Sequence, residues 1–179
     1  IVPALSFIAT ANAVRAAGFI PKFVDIKKET LNIDESKIEE AITRKTVAIM
    51  PVHTMGRPAE MKAICDIAKR HNLTVIEDAC ESHGAKYGGK FIGQWGDMSV
   101  YSYYVAHIVS CGEGGMVSTN DDFTADVLRS TRSHGRLFNS VFFDHPRIGM
   151  NSKMNDMEAS VGLEGISLFW DTFNRRKEI

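Results

Sequence analysis

Cysteine is scarce in this chain. Cys65, Cys80 and Cys111 are the only three in 179 residues, and no two stand at C-x-x-C spacing. That argues against a zinc or iron–sulfur site built from this chain alone, so no metal is expected. An odd number of thiols and the lack of a signal peptide lead us to expect a reducing cytoplasm. Long apolar runs are missing too, so no transmembrane helix is expected. The chain also lacks an excess of either charge. A formal net charge of −1 gives no electrostatic case for nucleic acid or an anionic membrane. Internal repeats and low-complexity segments are absent. What remains is 44% hydrophobic and 24% charged, the balance of an ordinary globular domain with one good core.

Apolar runs alternate with helical patterns, the signature of βαβ units and a mainly parallel sheet. Residues 7–17 read as a helix ended by Gly18, and Phe19 to Ile26 as a strand. Asp34 or Ser36 can cap a helix running to Ile42. Thr46 to His53 reads as a buried strand. Pro58 is expected to open a helix through His71, with Ala59, Met61, Ile64, Ile67 and Ala68 as its inner stripe. Leu73 to Asp78 is the next buried strand, and Gly84 to Gly96 a loop or short hairpin. Two more strands follow, at 98–104 and 115–119, then a helix from Asp121 to His134. Residues 135–150, with Phe138, Phe142 and Phe143, are irregular, and Asn155 can cap a last helix or pair of helices. Ile1-Val-Pro reads as the inside of a strand and Arg175-Arg-Lys-Glu-Ile179 as the inside of a helix, so we expect a fragment of a longer protein.

Asp78 closes a buried strand in Val75-Ile-Glu-Asp-Ala-Cys-Glu-Ser-His-Gly84. Ligands of open α/β sheets bind outside the carboxyl ends of the strands. An aspartate there either caps the following turn or offers its charge to a ligand. Glu81 either reaches that ligand or faces solvent, and His83 reads as a packed turn residue. Phe7 follows a strand end and either stacks on an aromatic ring or joins the core. Gly112-Glu-Gly-Gly115 is no dinucleotide fingerprint, because it precedes a strand and not a helix. Trp95 and Trp170 read as packing or interface residues.

Several blocks occur together and in order: Ile1-Val-Pro-Ala-Leu-Ser-Phe-Ile-Ala-Thr-Ala-Asn12, Ala48-Ile-Met-Pro-Val-His53, Ile76-Glu-Asp-Ala-Cys-Glu-Ser-His-Gly-Ala85, Gly112-Glu-Gly-Gly-Met116, Ser133-His-Gly135 and Asn151-Ser-Lys-Met-Asn-Asp-Met-Glu-Ala159. With them the whole chain resembles the DegT/DnrJ family of pyridoxal-phosphate (PLP) enzymes that act on sugar nucleotides. The resemblance implies the α/β class, as a three-layer α/β/α large domain of a type I PLP-dependent transferase with a mainly parallel sheet. Residues 1–179 would be part of that domain, without its N-terminal phosphate loop and the C-terminal small domain. It also implies roles. Asp78 would pair with the pyridine nitrogen, Phe7 stack on the ring, Glu81 contact the O3′ side, and Ser102 bind the cofactor phosphate. Asn151 would reach the phosphate of the partner subunit's cofactor, since family members are homodimers with shared sites.

The segment Ser102-Tyr-Tyr-Val-Ala-His-Ile-Val-Ser-Cys-Gly-Glu-Gly-Gly115 resembles the loop of the cofactor lysine, and His107 stands at the lysine position. The family's 3-dehydratases also carry histidine there. They hold pyridoxamine phosphate (PMP) without a covalent link. Its amine condenses with a 4-keto sugar nucleotide, a base removes a proton from C4′, and the 3-hydroxyl leaves. Histidine, with a pKa near working pH, suits that base. His134 falls on a second histidine position of the guanosine-diphosphate-sugar branch, although ordinary aminotransferases also have it. The asparagine usual beside the lysine is absent, which argues against a simple trapped mutant. Ile108 breaks the paired histidines common in the dehydratases. The leaning is therefore 3-dehydration of a 4-keto-6-deoxy sugar nucleotide, with PLP/PMP held non-covalently. Sugar-nucleotide aminotransfer and an inactive binding or regulatory homologue are the alternatives.

Overall fold

The structure, a computed structural model, describes residues 1–137 and 140–178; Phe138 and Ile179 lie outside the described residues. The chain forms two compact units, Ile1–Ser102 and Tyr103–Ile179.

The first unit is an α/β layer arrangement around parallel strands. Strand β1 (Val2–Pro3) leads to helix α1 (Ile8–Ala16), shorter by a residue at each end than expected, with Phe7 at its N-cap. Strand β2 (Phe23–Val24) pairs parallel with β1, Val2 opposite Phe23. Only these two residues of the expected 19–26 strand form a ladder: Pro21 has no N–H to give before them, and Ile26 after them bridges antiparallel to Ile33. Asp34 caps a 3-10 turn over Glu35–Lys37 by accepting from the Ser36 amide, and α2 (Ile38–Ala41) follows. Strand β3 (Ala48–Ile49) is short for the same reason as β2. Pro51 interrupts it, and pairing resumes at Val52, which bridges to Asp78.

Helix α3 (Met61–His71) starts three residues later than Pro58 suggests. Buried Asn32 holds the carbonyls of Arg57 and Pro58 at 3.0 Å each, which keeps that segment extended. The expected inner stripe is in place: Ala59, Met61, Ile64, Ile67 and Ala68 are all buried. They pack in one core with Ile33, Ile38, Ile49, Val75 and Ala79. Asn72 ends α3 in the left-handed conformation. Strand β4 (Thr74–Asp78) lies between β3 and β7 (Met98–Ser102), parallel to both. Between them, β5 (Lys86–Tyr87) and β6 (Lys90–Phe91) make the expected hairpin. Trp95 packs against the core, and His83 is buried with its ring 5.4 Å from that of Tyr101.

The second unit contains β8 (Gly115–Thr119), α4 (Asp122–Arg132), α5 (Asp156–Ser167) and α6 (Phe169–Lys177). Asp121 caps α4 by accepting from the Thr124 amide. Asn155 and Glu158 form a reciprocal capping box at the start of α5. Trp170 is exposed and stands edge-on to Phe169 and Phe173 within α6.

Candidate active site

Strand β4 delivers two adjacent carboxylates to opposite faces, since side chains alternate along a strand. Val75, Glu77 and Ala79 are buried, whereas Ile76 and Asp78 are half-buried. Asp78 lies at the strand's carboxyl end, paired with Val100 of β7 on one side and bridged to Val52 on the other. Its Oδ2 accepts from the Thr10 hydroxyl at 3.0 Å, and its Oδ1 from the Cys80 amide at 3.3 Å. Among the described residues it makes no ion pair, so its charge is not cancelled by a protein cation. Phe7, at the head of the helix that carries Thr10, leaves 80% of its surface exposed. Ser102 ends β7, the strand beside β4.

Glu81 is exposed, and its Oε2 accepts from the backbone of Met55. Met55 has a positive φ of 52° and precedes Gly56 at 78°. This tight turn approaches residue 81 so closely that a Cβ on Gly56 would lie 3.0 Å from the Glu81 carbonyl. Burial and the Asp78 charge push the Cys80 thiol far up, and burial with the Glu77 charge pushes that of Cys65 up to about 11.

Glu77 was not singled out from the sequence. It is fully buried and accepts from the amides of Gly93, Trp95 and Gly96 at 2.9, 2.8 and 2.7 Å. Burial alone would raise its carboxyl, but the His53 hydrogen bond and these amides outweigh that and hold it below its ordinary value. Gly96 is required at this approach, because a Cβ there would sit 2.7 Å from the Val75 carbonyl. An acid among apolar strand residues was the one available signal.

In the second unit, His107 lies half-buried in a turn whose amide donates to the Tyr104 carbonyl at 3.0 Å. Its ring is edge-on to Tyr104, 6.3 Å between centroids. The loop is tied at its base by Cys111 and Tyr103, each donating its amide across it at 2.9 Å. Gly112 and Gly114 have φ of 84° and 144°, values that side chains rarely allow. Val109 and Cys111 are buried, and Gly162 of α5 passes so close that a Cβ would meet the Cys111 sulfur at 2.5 Å.

His134 is exposed, in the left-handed conformation with φ 61°, just past α4. An antiparallel bridge between Ser133 and Asn151 sets His134 beside Asn151. The His134 amide donates to Met150 at 2.9 Å, and its carbonyl accepts from His145 Nδ1 at 3.0 Å. Among the described residues there is no His, Cys, Asp and Glu cluster able to hold a metal ion, and no helix long and apolar enough to cross a membrane.

The chain is 44% identical over 163 residues to a GDP-perosamine synthase of Caulobacter vibrioides, covering 91% of this chain and 44% of that protein. It is 41% identical over 179 residues to a GDP-perosamine synthase of Escherichia coli O157:H7, covering all of this chain and 49% of that protein. It therefore spans a little under half the length of these relatives. In structure it matches 3-amino-5-hydroxybenzoic acid synthase with a TM-score of 0.93 at 30% identity, over 99% of this chain and 47% of that one. The fold is that of the type I PLP-dependent aminotransferases. The model of the DegT/DnrJ/EryC1/StrS aminotransferase family matches residues 1–179, and the chain belongs to that family.

Proposed function

We propose that this chain is the cofactor-binding part of a longer cytoplasmic enzyme that uses PLP or PMP on a nucleotide-linked keto-sugar. The missing remainder would supply the phosphate loop and the small domain. The observation that carries this reading is Asp78: a carboxylate with no ion pair among the described residues, at the carboxyl end of a central parallel strand and accepting from the Thr10 hydroxyl and the Cys80 amide. Those donors leave lone pairs free for a protonated ring nitrogen, so the residues present fit the group. When bound, the cofactor supplies the electron sink for chemistry at the sugar's keto carbon. Asp78 would hold the ring nitrogen, Phe7 cover the ring face, Glu81 border the O3′ side and Ser102 bind the phosphate. Asn151 would serve the neighbouring site of a homodimer.

Two reactions compete for that framework. Histidine at 107 favours PMP-dependent 3-dehydration of a 4-keto-6-deoxy sugar nucleotide, because imidazole moves a proton near neutral pH but cannot anchor the cofactor covalently. His134 would assist as a second proton carrier. Membership of an aminotransferase family favours amine transfer instead. Incubating the full-length protein with PMP and a 4-keto-6-deoxy sugar nucleotide separates them. A 3-deoxy product supports dehydration. An amino sugar with no 3-deoxy product discards dehydration in favour of aminotransfer, and no turnover with tight PMP binding favours a binding homologue.

A further inference from the structure

The hydroxyl of Thr10 does not follow the habit of its type. A threonine inside a helix commonly returns its hydrogen to a backbone carbonyl of the preceding turn. Thr10, in α1 and 5% exposed, instead donates to Asp78 Oδ2, a residue 68 positions away. Its oxygen is also 2.7 Å from Ser6 Oγ. A hydroxyl has one hydrogen. Thr10 has spent its own on the carboxylate, so the hydrogen between the two hydroxyls belongs to Ser6. The order is fixed: Ser6 donates to Thr10, and Thr10 donates to Asp78.

We propose that Ser6 and Thr10 form a hydroxyl relay that positions the Asp78 carboxylate for the ring nitrogen of PLP or PMP, with Thr10 a positioning residue. The proposal rests on the reading of Asp78 as the ring-nitrogen anchor. Hydrogen bonds in a chain polarise one another, so the Ser6 bond strengthens the one on Asp78. With the Cys80 amide on Oδ1, the relay fixes the carboxylate's rotation from both sides. It also ties that rotation to the segment bearing Phe7, which lies between Ser6 and Thr10. A ring held by Phe7 and by Asp78 would thus meet two groups whose spacing one short segment sets.

The test uses the full-length protein and two probes, PMP and its 1-deaza analogue, in which a CH replaces the ring nitrogen. Calorimetric titration gives each affinity. The wild type should prefer PMP. Thr10→Val, which keeps the shape and removes the hydroxyl, should weaken PMP roughly tenfold and leave the deaza analogue unchanged. Thr10→Ser should restore most of the loss, and Ser6→Ala should weaken PMP about two- to threefold through the polarised chain. Equal weakening of both probes, or none, overturns the relay while leaving Asp78 as the anchor. A wild type that binds both probes equally overturns the anchor itself, and the proposed function with it. If Thr10→Val does not fold, Ser6→Ala at its half-buried site decides the relay alone.

Discussion

His53 Nε2 lies 3.3 Å from Glu77 Oε2, and both side chains are fully buried. The Ala59 amide donates to His53 Nδ1 at 3.0 Å. An amide can only donate, so Nδ1 carries no hydrogen and Nε2 holds the one shared with Glu77. One buried carboxylate thereby gathers the turn after β3, the start of α3 and the loop before β7 around β4. Glu77→Ala would strip the partner from four donors, the buried His53 ring nitrogen and the part-buried amides of Gly93, Trp95 and Gly96. Stability should fall by about 3–5 kcal/mol, the range for breaking a buried hydrogen-bonded charge. Urea unfolding followed by circular dichroism measures it.

The same carboxylate predicts a pH dependence. Its pKa is lowered in the folded state, so its stabilisation is complete above the ordinary glutamate range. It is lost as the pH falls from that range through the lower folded value. Unfolding free energy should therefore drop on acidification, and Glu77→Gln should show a shallower drop along with a lower plateau at neutral pH. Parallel slopes for the two proteins would remove Glu77 as the titrating group.

Asp78→Asn tests the anchor directly. It keeps the shape, and its one amide oxygen can still accept from the Cys80 amide while its NH2 faces the Thr10 hydroxyl, which can accept, but it loses the charge. PMP affinity should fall roughly ten- to a hundredfold, the range for a hydrogen bond to a charged group. Thermal unfolding without cofactor should change little. A large loss of intrinsic stability with unchanged PMP affinity would make Asp78 a structural cap.

His107→Lys would place a lysine where the resemblance puts the family's cofactor lysine. With PLP, the variant should acquire a visible absorbance that borohydride abolishes, and the wild type should not. If the histidine carries dehydration, 3-deoxy product should disappear from the variant. A wild type that already shows the borohydride-sensitive band would place the cofactor lysine elsewhere.

Gly162→Ala should destabilise the second unit by about 1–3 kcal/mol through overpacking against the Cys111 sulfur. Adding Cys111→Ala should recover part of that loss, and a double-mutant cycle on melting temperature shows the coupling.

The order of elements, the inner stripe of α3, the cap at Asn155, Asp34 as one of two candidate caps, and the position of Asp78 at a strand end were all legible in the sequence. Each depends on periodicity or on residues a few positions apart. Boundaries were less so: Pro21, Pro51 and the Asn32 clamp on 57–58 shortened β2, β3 and α3. Family membership followed from the collinear blocks, and the matches bear it out. What only the tertiary structure decided is which groups meet. Thr10 reaches Asp78 across 68 residues, and His53 reaches Glu77 across 24. No local pattern encodes these pairs. They form because parallel strands with helical crossovers bring distant segments to the same strand end, where a buried or half-buried carboxylate must find donors.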